Sequence, residues 1–181
     1  MDPPHPVLRN VAAASDVLKL RVQVRFLVGD YLTYSLDHSH GNGKSPHCRL
    51  CSTADTPLNE SVSHVISQCS ALESVRSRIL PEILDVVRNL SPQKWVSNYL
   101  HLQNDNTRTQ FILDCTSQNL PISIRVKATN CMVVFRVTRD FCFAIHKERM
   151  RLLNQQSTAP MFTKILREYD KLTNLIHENS S

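Results

Sequence analysis

Between His47 and Cys69 the chain reads HCRLCSTADTPLNESVSHVISQC, placing three of its six cysteines and two of its eight histidines in one short stretch. Cys48 and Cys51 stand as C-x2-C, His64 follows after twelve residues and Cys69 after four more, a C-x2-C-x12-H-x4-C pattern. Sulfur and imidazole at that density can bind a metal, close a disulfide loop, form a nucleophile with its base, or cluster by accident. Zinc takes four soft or borderline ligands in a tetrahedron, and thiolates with imidazole suit it. Two cysteines in C-x2-C can face one ion from a tight turn. His64 and Cys69, five apart, reach that ion only if a helix ends or loosens between them. The expected ligand set is therefore Cys48, Cys51, His64 and Cys69 around one structural Zn2+. His47 is an alternative to His64, made awkward by its place beside Cys48.

The other chemistries fit less well. The opening MDPPHPVLRN lacks the basic-then-apolar layout of a secretion signal. No apolar run approaches the roughly 18 residues of a membrane span. The chain is thus expected to be soluble and intracellular, without a membrane partner, where thiols stay reduced. A redox pair would want a βαβ setting around the C-x2-C, and none is visible. No Ser-His-Asp set is fixed by the sequence. Asp114 beside Cys115 reads as a capping or arginine-paired carboxylate, and His146 as a partly buried side chain rather than a general base. Cys115, Cys131 and Cys142 sit among apolar neighbours and read as core thiols. With only three glycines, phosphate-cradling loops are disfavoured, and no small-molecule substrate is expected.

The net charge of +5 is concentrated. Residues 121–155 hold seven cations against Asp140 and Glu148, while the flanking segments balance. At 100° per residue Arg136, Arg139, Lys147 and Arg151 fall within about 120° of one helical face. Phe143 lies among them, placed to stack on a base or pack under the arginine stems. Arg125 and Lys127 extend the patch. Such a face can track phosphates through counterion release, so RNA or DNA is the expected partner. The plain alternative is a solvated outer face.

These residues need helices to position them. A length of 181 residues suits one domain, and the patterning is mainly α, with about six helices around a small zinc-stapled loop. Residues 1–14 read as a lead-in. Residues 15–155 read as the helical domain, with the knuckle at 47–70 and the basic helix at about 130–153. Residues 156–181 read as a C-terminal helix. In DVLKLRVQVRFLVGDYL an alternating pattern competes with a helical stripe of Val17, Leu20, Val24, Leu27, Val28 and Tyr31, and length favours the helix. DHSHGNGKSPHC reads as a loop. Asn59 is placed to cap the helix carrying His64. Pro81 suits the first turn of a new helix, as does Pro92 after Ser91, and Asn106 begins another. Pro121 and ISIRV mark a loop or short extended piece. On the long basic helix, Val134, Val137, Phe141, Ile145 and Glu148 share the stripe opposite the cations.

HPVLRNVAAASDVLKLRVQVRFLVGDYLT, then CRLC, then ESVSHVISQCSALESVRSRIL resembles the region after the reverse transcriptase domain in non-LTR (LINE-type) retrotransposon polyproteins. The family's R-x-L-x-G-x-Y stretch is matched by Arg25, Leu27, Gly29 and Tyr31, and its E-x-V-x-H-x-x-x-x-C segment by Glu60, Val62, His64 and Cys69. FILDCTSQNL and RDFCFAIHKERMRLL are similar to the tails of invertebrate members, so the likeness spans roughly residues 5–153. The Cys51-to-His64 gap is longer than is usual there, and the residues around TADTP must bulge out. Polymerase Y-x-D-D and endonuclease patterns are absent. The resemblance therefore implies a non-catalytic accessory region that grips template RNA or target DNA, alone or with an upstream reverse transcriptase domain, in the nucleus or a cytoplasmic ribonucleoprotein. The competing expectation is a protein-interaction module with a purely structural zinc.

Overall fold

The computed structural model describes Leu8, residues 14–29, Tyr31, 47–127 and 129–156. The lead-in, the glycine-rich loop before the cysteines and the C-terminal helix expected over 156–181 lie outside these residues, except at Leu8, Ala14 and Gln156. The architecture is mainly helical, and among the described residues there is no strand, only an isolated antiparallel bridge between His47 and Asn59.

Five α-helices are described: α1 (Ala14–Leu27), α2 (Glu73–Leu90), α3 (Trp95–Gln103), α4 (Asp105–Leu113) and α5 (Cys131–Gln156). A π-helical turn over His64–Gln68 and a 3-10 turn over Ser70–Leu72 lead into α2. At 26 residues, α5 is about 39 Å long and forms the spine, packed along α2 on one side and α1 on the other. Val134, Phe135, Phe141 and Ile145 of α5 enter a core shared with Phe26, Ile66, Leu72, Ile83 and Phe111. Cys115, Cys131 and Cys142 are buried in it as core thiols.

The helix expected over α1 forms, but its most buried face is offset from the expected stripe. Tyr31 is buried and Leu20, Val24 and Leu27 pack half-buried against the core, while Val17 and Val28 are exposed and Val22, Gln23 and Phe26 are the buried residues among those described in the helix. The reason lies in Gln23, whose Nε2 donates to the Ile112 carbonyl (3.1 Å), the Leu113 carbonyl (3.4 Å) and Thr138 Oγ1 (3.2 Å). The end carbonyls of a helix lack intrahelical partners, and a buried amide serves them where water cannot reach. After α1, Gly29 takes φ +76°, the left-handed region open to glycine. Tyr31 then folds back on Phe26 with ring centroids 3.5 Å apart.

Three helix boundaries differ from expectation. Pro81 starts no new helix and lies inside α2. Val75, Ile79, Ile83 and Val87 form one inward stripe through it, while the proline ring faces solvent, so burial on both sides outweighs the lost backbone bond. α4 is capped by Asn104, not Asn106, with Asn104 Oδ1 accepting from the Thr107 N–H at 3.0 Å. Asn59 is engaged in the bridge to His47, and Ser61 caps the turn with His64, its Oγ accepting from the His64 N–H at 2.9 Å. Pro92 does occupy the first turn of a 3-10 segment, although Ser91 makes no side-chain cap. Asp114 is the C-cap residue of α4, its N–H reaching the Gln110 carbonyl, and its Oδ1 accepts from the Thr116 N–H (3.0 Å) and hydroxyl (2.7 Å).

Candidate metal centre

The four expected ligands converge. The ligand atoms of Cys48, Cys51, His64 and Cys69 all lie within 4.8 Å of one another. Cys48 Sγ and Cys69 Sγ are 3.8 Å apart, and Cys51 Sγ is 3.2 Å from His64 Nε2. Two thiolates held tetrahedrally at about 2.3 Å from one ion would stand about 3.8 Å apart, so the sulfur edge fits. The sulfur–nitrogen edge is slightly tighter. Cys48, His64 and Cys69 are buried and Cys51 is half-buried, which shields the cluster from competing water. The set is able to hold one metal ion.

Local backbone geometry explains how. Backbone N–H groups of Leu50 and Cys51 point at the Cys48 sulfur, and that of Ser70 at the Cys51 sulfur. In an α-helix His64 and Cys69 would sit about 140° apart. Here the Cys69 N–H reaches the His64 carbonyl at 2.7 Å, an i→i+5 bond that widens the turn, and Cys69 itself leaves helical geometry at ψ 113°. The imidazole and the thiol thereby face the same point.

The long gap between Cys51 and His64 closes on itself. Ser52 Oγ donates to the Leu58 carbonyl and accepts from the Leu58 N–H, both at 2.9 Å, and the Cys48 N–H reaches the Leu58 carbonyl at 2.7 Å. Residues 53–58 form the exposed bulge anticipated from TADTP. His47 is not in the cluster; its Nδ1 lies 3.1 Å from Asn59 Oδ1.

Without a cation, three thiols this close cannot all ionise. The hydrogen bond from Cys69 holds the Cys48 thiol far below its usual range, and donating that bond pushes Cys69 up. Burial and the neighbouring sulfur raise Cys51. A divalent cation would favour the deprotonated form of all three.

Several supporting residues were not anticipated. Buried Arg76 donates to the Cys69 carbonyl and pairs with Glu73 at 2.7 Å, fixing the last ligand to α2. α4 splints the π-helical turn: Ser67 Oγ meets Thr109 Oγ1 at 2.8 Å and Gln68 Nε2 donates to Asp105 Oδ2 at 3.0 Å. Glu60 pairs with Arg149 of α5. Apart from Arg76, which lies close to Cys69 and Glu73, these partners are far apart in sequence, and only the Glu60 position within the E-x-V-x-H pattern hinted at one of them.

The expected cationic face comes apart. Arg136, Lys147 and Arg151 are exposed on α5, but Arg139 is 4% exposed and Arg149 2%. Arg139 turns inward because its angular position flanks the core stripe, with Asp16 and Asp140 near its charge. Arg151 is bound to Glu148 at 2.7 Å. Arg125 donates to the Gln118 and Leu120 carbonyls at 2.7 and 2.9 Å, folding its own loop. Phe143 is half-buried and packs against the core. Lys127 is exposed. His146 is partly buried, and Tyr31 Oη lies 3.0 Å from its Nδ1. Burial first, then the charges of Arg149 and Arg25, lower its pKa to about 4.

Among the described residues no helix is long and apolar enough to cross a membrane. No family model, curated protein or solved structure matches this chain.

Proposed function

We propose that this chain is a zinc-stapled, nucleic-acid-binding accessory region of the kind that follows the reverse transcriptase domain in LINE-type polyproteins, and that it grips template RNA or target DNA without catalysing a reaction. The observation that carries the reading is the Cys48–Cys51–His64–Cys69 cluster, which brings the CRLC cysteines together with His64 and Cys69 of the E-x-V-x-H-x-x-x-x-C segment, the two stretches on which the family likeness rests. Three sulfurs and one imidazole nitrogen favour zinc among the common intracellular cations. Four protein ligands leave no open position for a water, so the ion serves structure: it ties the loop to the π-helical turn and, through Arg76, to α2.

Phosphate contact is assigned to the solvent face of α5. Arg136 and Lys147 are exposed there and pair with no carboxylate among the described residues. Lys127 lies on the loop before the helix. Fluorescence anisotropy with a structured RNA and a DNA duplex, from low to physiological salt, tests the reading. Affinity should fall steeply with salt and be largely lost in Arg136→Gln/Lys147→Gln. No binding at low salt would overturn it.

A second reading has its own observation. Val96, Tyr99 and Leu100 of α3 are exposed together, as a protein-binding surface would require. Binding through that face would be insensitive to salt and to the α5 substitutions.

A further inference from the structure

A pocket of about 390 Å³ opens where the end of α2 and the first turns of α3 face residues 122–127 and Asn130. That volume falls in the range of small-ligand sites, roughly 300–1,000 Å³. Val87, Leu90, Ile124 and Val126 supply an aliphatic wall, and Ile122 stands 83% exposed at the pocket. Lys94, Arg125 and Lys127 bring three cations, and no carboxylate lines the space. Arg125 is fixed by its two carbonyl acceptors, which leave its charge uncancelled. Lys94 and Lys127 are exposed and make no ion pair with the described residues.

Asn98 is the unexpected member. It lines the pocket, is 2% exposed, and its Oδ1 has no hydrogen-bond partner among the described residues. Buried amide oxygens are rarely left without a donor. An apolar residue of the same size would pack there at no such cost, so the amide oxygen stands open, within the pocket lining, to a ligand bearing N–H donors.

An aliphatic wall, one buried amide and several uncompensated cations together describe a ligand with flat apolar faces, hydrogen-bonding edges and a phosphate. Asparagine amides pair with base edges, and lysines serve phosphate as point charges. We infer that this pocket takes a nucleoside phosphate unit, the base against Val87, Leu90 and Val126 with its edge toward Asn98, and the phosphate on Lys94 and Lys127. The inference deepens the nucleic-acid reading and rests on it for the source of the unit, a single strand rather than a free nucleotide. Asn130, just ahead of α5, also lines the pocket, so Arg136 lies only about 9 Å farther along that helix. A strand held in the pocket can continue onto the α5 face. A duplex, whose bases are stacked, cannot enter.

The test uses the full, zinc-loaded chain with two probes: adenosine monophosphate by saturation-transfer NMR, and a single-stranded oligonucleotide by anisotropy beside a duplex. Asn98→Leu should keep the thermal midpoint at or above that of the parent, while weakening single-strand binding about tenfold and leaving duplex binding unchanged. Lys94→Gln/Lys127→Gln, both at exposed positions, should do the same without touching packing. Strand binding that is lost in Arg136→Gln/Lys147→Gln but unchanged in both pocket variants would overturn the pocket inference and leave the broader reading standing. Mononucleotide binding lost in the pocket variants, with no strand or duplex binding at all, would keep the pocket and sink the broader reading. Binding of neither probe would overturn the pocket.

Discussion

Arg149 of α5 and Glu60 of the metal-binding loop form an ion pair across 89 residues of sequence, with side chains 3% and 6% exposed. The guanidinium also lies 5.4 Å from the centroid of the Tyr31 ring, so the loop, the spine helix and the segment after α1 meet at one charge. A buried ion pair gains little over well-packed apolar residues, but breaking it strands a charge away from water.

Glu60→Ala should therefore destabilise the fold by about 3–5 kcal/mol. Glu60→Leu/Arg149→Met should recover most of that loss, because neither side chain then needs a partner. Urea denaturation of Glu60→Leu, Arg149→Met and the double closes the cycle. A double variant as unstable as Glu60→Ala would show that the pair specifies packing beyond its charge.

Metal removal should act through folding. On the proposed zinc reading, chelation or Cys69→Ser releases one equivalent of metal and lowers the thermal midpoint by roughly 10 °C or more. Cys142→Ala, deep in the core, should lower stability yet leave metal content unchanged. Elemental analysis beside calorimetry reads both.

His146 sets a pH dependence whose sign follows from its burial. In the fold its pKa is lowered from the usual 6.5 to about 4, so between those values the unfolded chain binds the extra proton. Its contribution is fully present above about pH 6.5, declines as pH falls, and is gone below about 4, amounting to at most about 3 kcal/mol. His146→Gln keeps an acceptor for Tyr31 and removes the titration. The difference between parent and variant urea midpoints should shrink as pH drops from 7 to 4. A constant difference would rule out this account.

Arg136 and Arg139 sit three residues apart on one helix and should behave oppositely. Arg139→Met is expected to change stability while leaving the salt dependence of nucleic-acid affinity intact, because the side chain is buried. Arg136→Gln/Lys147→Gln should leave stability within about 0.5 kcal/mol and reduce the magnitude of the log–log salt slope by about 1.8 for a duplex.

The Cys48–Cys51–His64–Cys69 cluster was legible because metal-ligand chemistry restricts residue type and spacing more tightly than packing does. The requirement that the helix loosen between His64 and Cys69 could be stated from spacing alone, and the π-helical turn meets it. Helix class was legible from length and periodicity. The inward face of α1 was not, because its stripe of aliphatic residues competes with a buried glutamine whose value depends on carbonyls 89 and 90 residues away. The basic face misled for a related reason: a helical wheel places Arg139 with Arg136 but carries no information on where the neighbouring helix begins. Pro81 misled because a local rule about proline was outweighed by a stripe running through it.

The bulge between Ser52 and Leu58 is closed at its base by the reciprocal Ser52–Leu58 hydrogen bonds and the Cys48 N–H on the Leu58 carbonyl, with its tip in solvent. Loop closure costs grow only slowly with length once the ends are fixed. This makes residues 53–57 a natural handle: a fluorophore or short epitope inserted there would report on the chain at work without disturbing the cluster a few residues away. It also means that related chains could differ freely in this gap while keeping the same four ligands in place.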